Sequence, residues 1–370
     1  MGLVSRSAEL LGLHKDGQII GLAPAETEER RRLWWQIQHI DLIMAVKNGS
    51  TPLTFTADWD TKLPLNIEEG DISSDSKTLP KERTGLTTFS YTLFACWVMN
   101  QQRKFRLRHQ QSAVDRALLG PLTDDIIDEL EAGLQTQFVQ YCDPIKPADI
   151  ILQISARALI CVLRLRRMHE YRVTSENLDA GSHEKYLDLC MQELGYTIAT
   201  YSQASLKPFC WLGETTFVWH ARKLVRIRAR AQVLAKFYAI VIAMLVDMPH
   251  LTDCSKIKAA WALLEDLYAA ASFLKDFSED KKRLRAAELL IAAWDACINK
   301  PGLENMTRPD FVAELEALVS DIEVNEVSAA TGQRGTRVAE PVADDFPGVG
   351  ESISGLLDFE FADIEWSYWQ

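Results

Sequence analysis

The chain has 370 residues, of which 47% are apolar and 25% charged. Those values exclude a wholly disordered, collagen-like or low-complexity protein. The formal net charge of −12 excludes a body-wide basic surface for nucleic acid. Gly (18) and Pro (13) are sparse, which argues against a turn-rich all-β fold. The seven cysteines are widely spaced and form no C-x-x-C. This leaves no disulfide framework, zinc ribbon or thioredoxin-like site, and points to a reducing compartment.

The pattern predicts an all-α fold: an irregular multi-helix bundle with one long ordered loop and a disordered C-terminal linker and tail. Met1–Leu13 carries Arg6 and Glu9 inside its apolar run, so it does not read as a signal peptide. Leu33, Ile37, Ile40 and Met44 recur at helical spacing and are expected to line one helix face. Asn48–Asp75 breaks the pattern with Asn48-Gly49, Pro52, Pro64 and Gly70. It is expected to be a long ordered loop that packs Leu53, Phe55, Trp59 and Leu63 onto the helices. Helices are predicted over 86–108, 123–140, 148–173, 184–205, 214–247 and 309–323. Two further stripes are Ile257, Trp261, Leu264, Tyr268 and Ala271, and Leu284, Ala287, Ile291, Trp294 and Ile298. Pro24, Pro121, Pro147 and Pro309 each stand near a predicted helix start, where a missing N–H costs little. The longest apolar run, Phe237–Val246, is too short to span a bilayer, so a soluble chain is expected. Residues 326–354 are rich in Ala, Gly, Pro and Ser and read as a disordered linker.

Few residues point to chemistry. Asp124-Asp125-Ile126-Ile127-Asp128 matches the D-D-x-x-D pattern that holds magnesium and a diphosphate in helical terpene cyclases. Thr123 before it is a good N-cap, and acids in a first turn meet the helix dipole favourably, so capping is the preferred reading. The second metal motif of such enzymes is absent. The seven histidines form neither H-x-x-x-H nor H-E-x-x-H, and no nucleophile elbow, P-loop or dinucleotide-binding motif occurs. No catalytic, metal or cofactor residue is therefore assigned, and the chain is expected not to be an enzyme. Basic residues cluster at Arg164, Arg166 and Arg167, and along Arg222, Lys223, Arg226, Arg228 and Arg230. Solvated helix faces are the preferred reading over phosphate contact.

One series of motifs is specific as a set. Leu10-Leu11-Gly12-Leu13-His14-Lys15-Asp16 is followed by Glu29-Arg30-Arg31-Arg32-Leu33-Trp34-Trp35 and then Asp41. Gly49-x-x-Pro52 and Asp58-x-Asp60-x-x-Leu63-Pro64 complete it. This series resembles the fungal-specific transcription factor domain, the middle homology region of zinc-cluster regulators. The segment from Pro80 to Thr87 resembles a branch of that family tied to secondary metabolism. The resemblance implies a regulatory domain over 1–325, N-terminally truncated, since the chain starts late within the family's domain. The family's six-cysteine zinc cluster has no counterpart, the first cysteine being Cys96. Zinc is implied only for a missing N-terminal cluster. The motif residues are expected to be architectural: Trp34 in the core, Trp35 covering the loop, and the Arg30–Arg32 run either pinning Asp58 or Asp60 through one Arg or, on an equal footing, standing as solvated helix charges.

The C-terminus carries eight acids after residue 339 and no Lys or Arg. In residues 355–370, Leu356, Leu357, Phe359, Phe361, Ile364, Trp366, Tyr368 and Trp369 mix with Asp358, Glu360, Asp363 and Glu365. That composition is typical of activation segments. Leu357, Asp358, Phe359, Phe361, Trp366 and Trp369 are its candidate contact residues. The expected function is fungal transcription regulation of a metabolic gene set, in the nucleus or also the cytoplasm. Expected partners are coactivators or a zinc-cluster factor, with DNA bound only indirectly or weakly and a small-molecule effector conceivable. No membrane partner is expected. The alternatives are a DNA-binding-deficient modulator of a full-length zinc-cluster factor and a magnesium-dependent prenyl-diphosphate enzyme.

Overall fold

Helical spacing of apolar side chains, with proline and threonine at the starts, yields the architecture. The structure, a computed structural model, describes residues 2–48, 58–109, 123–174, 180–209, 251, 253–270, 281–317 and 319–320. Its helices in order are α1 (Gly2–Leu10), α2 (Pro24–Asn48), α3 (Ser90–His109), α4 (Asp124–Gln137), α5 (Pro147–Thr174), α6 (Ala180–Ser202), α7 (Cys254–Ala270) and α8 (Lys281–Ile298). Residues 310–317 form a further helix, α9. No strand occurs among the described residues. Pro24 and Pro147 open α2 and α5, and Pro309 immediately precedes α9. Thr123 caps α4, its Oγ1 accepting from the Ile126 amide at 3.4 Å. The helix predicted over 214–247, the basic stripe Arg222–Arg230, the linker and the tail lie outside the described residues.

Contacts group the chain into two compact units, one built mainly from Met1–Arg167 and the other mainly from residues 168–202 and 230–365. In the first unit α3 is the shared wall. Phe94 and Val98 on one face join Ile127, Leu134, Phe138, Leu152, Leu159 and Leu163 from α4 and α5. Cys96 and Met99 on the other join Ala8, Leu13, Trp34, Trp35, Ile37 and Trp59. In the second unit α6 packs on α7, and Trp261 centres an aromatic group. Its ring meets Trp294 edge-on at 5.0 Å, while Tyr268 stacks on Phe311 at 5.1 Å.

Two predicted faces are corrected. Leu33 and Ile40 are exposed, at 51% and 40%, whereas Ile37 is buried. The buried side of α2 is instead Thr27, Glu28, Arg31, Trp34, Trp35, Gln38, Asp41 and Leu42. Five of those eight residues are polar, which is why apolar spacing pointed to the wrong stripe. On α8 the buried row is Ala287, Leu290, Ala293, Trp294 and Cys297, with Ile291 and Ile298 only half-buried. The α7 stripe is as predicted for Ile257, Trp261, Leu264 and Tyr268.

Candidate functional site

The site with the most built-in geometry is the clamp formed by α1, α2 and the loop that starts at Asp58. It begins with a glycine. Gly12 ends α1 at φ +70°, a left-handed conformation that side chains with a Cβ resist. Its amide donates to Glu9 O, and the Leu13 amide donates to Ala8 O. This is the Schellman pair that closes a helix C-terminus, and Leu13 and Ala8 share the core beneath it. Arg30 Nη2 adds a bond to Leu11 O at 2.7 Å. The turn reverses the chain, so the next four residues run along the loop.

There the two strips are tied together. The Asp60 amide donates to His14 O, and Thr61 Oγ1 donates to Leu13 O at 2.7 Å. The Asp16 amide donates to Asp60 Oδ1, and the Lys62 amide returns a bond to Asp16 Oδ2. Asp16 also takes a fork of two 2.8 Å bonds from Arg31. The carboxylate is 0% exposed and Arg31 1% exposed. Arg31 Nη2 further donates to Gln18 Oε1. Both Asp16 carboxylate oxygens and the Nε and Nη2 of Arg31 are thus hydrogen-bonded, the condition under which a buried ion pair is tolerated. Burial pushes the Asp16 carboxyl up, but the Arg31 fork and the Lys62 and Gln18 amides outweigh it and hold it below the usual range. Gly17 closes against α2: a Cβ there would lie 2.6 Å from Thr27 Oγ1 and 2.9 Å from Thr27 Cα, so only glycine fits.

A second tie lies one turn along α2. Glu28 accepts from the Leu65 amide and from Arg32 Nε. Burial dominates and holds its carboxyl above the usual range, despite Arg32. Arg32 reaches on to Glu69 at 2.6 Å. Between the ties Trp59 fills the core. Its ring meets Trp34 and Trp35 edge-on at 5.7 and 5.3 Å, and the Arg103 guanidinium lies 3.7 Å over it. Trp35 Nε1 donates to Lys62 O. Asn66 then holds the far end of the loop, donating to Arg83 O and Gly85 O and accepting from Thr87 Oγ1.

Most predicted motif residues meet here. Leu13, Trp34, Trp35 and Asp41 are buried; Leu63 packs on the same cluster; Gly12, His14, Arg31, Arg32 and Asp60 surround it. Asp58 adjoins through its field on Arg103, and Pro64 continues the loop. Leu11 and Leu33 face outward. Gly49, Pro52 and the tail residues Leu357, Asp358, Phe359, Phe361, Trp366 and Trp369 lie outside the described residues. The expected Arg lock on Asp58 or Asp60 is corrected. Arg31 pairs with Asp16, and Asp60 is reached by Lys15 at 3.6 Å. Asp16 lies nearer the Arg31 face because Gly12 has already folded the chain back.

Sequence reading missed Glu28, Asn66 and Arg103 as ties. The only available signal was their place beside motif residues: Glu28 before the Arg run, and Asn66 two positions after Pro64. Elsewhere, Asp128 of the D-D-x-x-D string is held by Arg164 at 2.8 Å, and Glu131 takes the same guanidinium. Asp124 and Asp125 lie in the first turn of α4. Among the described residues no group of three or more His, Cys, Asp or Glu side chains could hold a metal ion. No described helix is long and apolar enough to cross a membrane.

Residues 1–110 match the family model of the fungal specific transcription factor domain, bearing out the resemblance read from the motifs. The chain is 22% identical to the aurofusarin cluster transcription factor aurR2 of Gibberella zeae, over 100% of its own length and 57% of that protein. It is 22% identical to the pyriculol/pyriculariol biosynthesis cluster transcription factor 1 of Pyricularia oryzae, over 99% of its length and 48% of that protein. A shorter match, 31% identical over 39% of this chain and 22% of the relative, is the C6 finger domain transcription factor hasF of Aspergillus fumigatus. The chain therefore spans about half the length of the first two relatives. No solved structure matches.

Proposed function

We propose that this chain, which carries the fungal specific transcription factor domain in its first 110 residues, regulates transcription of a metabolic or secondary-metabolite gene set. The observation that carries the reading is alignment along the whole chain with two relatives named as biosynthetic-cluster transcription factors. The clamp supports it from the physical side. Asp16, Arg31, Glu28 and Arg32 bond one another and loop backbone groups, an arrangement that suits a scaffold. The architectural role of the motif residues is part of the proposal. The acidic, aromatic segment 355–370 supplies an output: acids keep its rings solvated until a coactivator groove takes them up. Action is in the nucleus.

The test is to fuse residues 340–370 to an unrelated DNA-binding domain and measure a reporter. Activation above the fusion partner alone is expected; its absence removes the tail from the mechanism. A second reading is a modulator that pairs with a full-length zinc-cluster factor. It predicts co-purification with such a factor and no retention on DNA at low salt.

A further inference from the structure

Residues 72–89 are the longest described stretch without a helix, and they carry a serine that the clamp does not use. The base of the stretch is closed. The Arg83 amide donates to Asn66 O at 2.8 Å, Asn66 Nδ2 returns a 2.8 Å bond to Arg83 O, and the Arg83 guanidinium forks onto Asp71. The segment between Asp71 and Arg83 is therefore a compact surface loop with its ends joined. At its tip the Ser76 amide donates to Ser73 O at 3.0 Å, which makes Ser73–Ser76 a β-turn. The Ser73 and Ser76 hydroxyls lie 3.3 Å apart and occupy each other. Ser74, at the second position of the turn, is exposed, and its hydroxyl has no partner among the described residues.

The charges around Ser74 are ordered. Glu68, Glu69 and Asp71 stand six, five and three positions before it, and Asp75 follows it directly. No Lys or Arg lies between Lys62 and Ser74, while Lys77 and Lys81 come after. Acids before and beside a hydroxyl complement an enzyme groove lined by cations, and they repel one built to read an upstream arginine. The Glu69 side chain is 76% exposed in its pair with Arg32, so that solvated contact gives way cheaply. Because the loop is closed at its own base, an enzyme can take the turn without unfolding α2 or α3.

We propose that Ser74 is a phosphorylation site for an acid-directed serine kinase, and that the cations of its own loop hold the phosphate. In the transfer, Ser74 Oγ attacks the γ-phosphorus of ATP. An O–P bond forms while the bond from that phosphorus to the bridging oxygen of ADP breaks, and the hydroxyl proton passes to the catalytic carboxylate of the kinase. The product adds about −1.5 to −2 charges to the turn. Lys77 and Lys81 have no ion-pair partner among the described residues and are free to meet it. Arg83 is held only by a solvated pair, its side chain 51% exposed and that of Asp71 23%, so a dianion draws it away. Losing that fork opens the base of the loop. The change reaches the outer end of the clamp, where Glu68 accepts from the Thr88 amide at the start of α3 and Arg32 holds Glu69.

The experiment uses the full 370-residue chain, ATP and a serine kinase of the casein-kinase type, with an arginine-directed serine kinase as control. Peptide mapping by mass spectrometry is expected to place a phosphoryl group on Ser74 with the first enzyme and not with the second. Ser74→Ala should lose that label and keep the thermal midpoint of the wild type, whereas Ser73→Ala should still be labelled. Phosphorus NMR then follows the second ionisation of the phosphate. Its midpoint should lie at lower pH in the folded chain than in denaturant, because neighbouring cations favour the dianion, and Arg83→Ala should move it back toward the denatured value. Absence of label on Ser74 would overturn the proposal. So would labelling of Ser74 by the arginine-directed enzyme alone, or an ionisation midpoint that is the same in the folded and the denatured chain.

Discussion

The α1/α2/loop clamp and the Trp261 core solve the same task by opposite means. In the clamp, side chains that normally seek water are buried, and Asp16, Arg31 and Glu28 are held by hydrogen bonds to defined atoms. In the Trp261 core, Ile257, Leu264, Leu267, Leu290 and Phe311 are buried by apolar contact, and the polar exceptions are single bonds such as Trp261 Nε1 to Cys297 Sγ. The difference is one of tolerance. Apolar packing accepts substitutes of similar volume. A bidentate carboxylate–guanidinium pair with two backbone amides attached accepts almost none. It is in the region of the clamp that the family model finds its match, over residues 1–110.

The contrast can be broken by substitution. The largest effect is expected for Arg31→Leu, which strands Asp16 as a buried charge: a loss of about 3–5 kcal/mol in chemical denaturation, the usual cost of removing one partner of a buried pair. Hydrogen exchange at the Lys62 amide should rise at the same time, because its acceptor is released. In the apolar core, Leu264→Ala should cost about 2–5 kcal/mol, but Leu264→Met under about 1.5 kcal/mol. If Arg31→Lys were equally mild, the proposed difference in tolerance would be gone. Gly12→Ala, at φ +70°, is expected to cost roughly 1–2 kcal/mol through its left-handed backbone.

The pH profile sharpens the same comparison. The Asp16 carboxyl is held below its usual range, so the folded protein resists its protonation more than the unfolded chain does. Its contribution is complete above the ordinary aspartate pKa of about 4 and is lost as pH falls through the lower folded value. Glu28 acts in reverse: its raised carboxyl contributes at low pH and is lost as pH rises through the folded value. Denaturation midpoints below pH 4 should therefore fall less steeply in Asp16→Asn than in wild type. The smallest effect is expected at Arg83→Ala. Its partner Asp71 is pulled down to about 2 chiefly by the Arg83 hydrogen bonds, yet the pair is solvated, and no measurable shift in the thermal midpoint is expected.

Local signals were legible in the sequence because their causes are local. Thr123 and Pro147 start helices through their own backbone chemistry, and the α7 stripe is regular because one apolar face is enough to place that helix. The Trp34 and Trp35 roles also followed, since their spacing on α2 separates them by one residue's rotation. What failed was α2's buried face. Leu33 and Ile40 are apolar yet exposed, and the row that turns inward joins Glu28, Arg31, Gln38 and Asp41 to Trp34, Trp35, Ile37 and Leu42.

By itself, then, the sequence determined that the described residues are helical, roughly where those helices lie, and a motif series resembling the fungal-specific transcription factor domain. Only the tertiary structure decided which charges pair. Arg31 meets Asp16 and not Asp60 because the Gly12 turn, 19 positions before Arg31, swings one strip against another. Pairing across such separations depends on where the backbone has already been folded, and no spacing rule along a single segment carries that information.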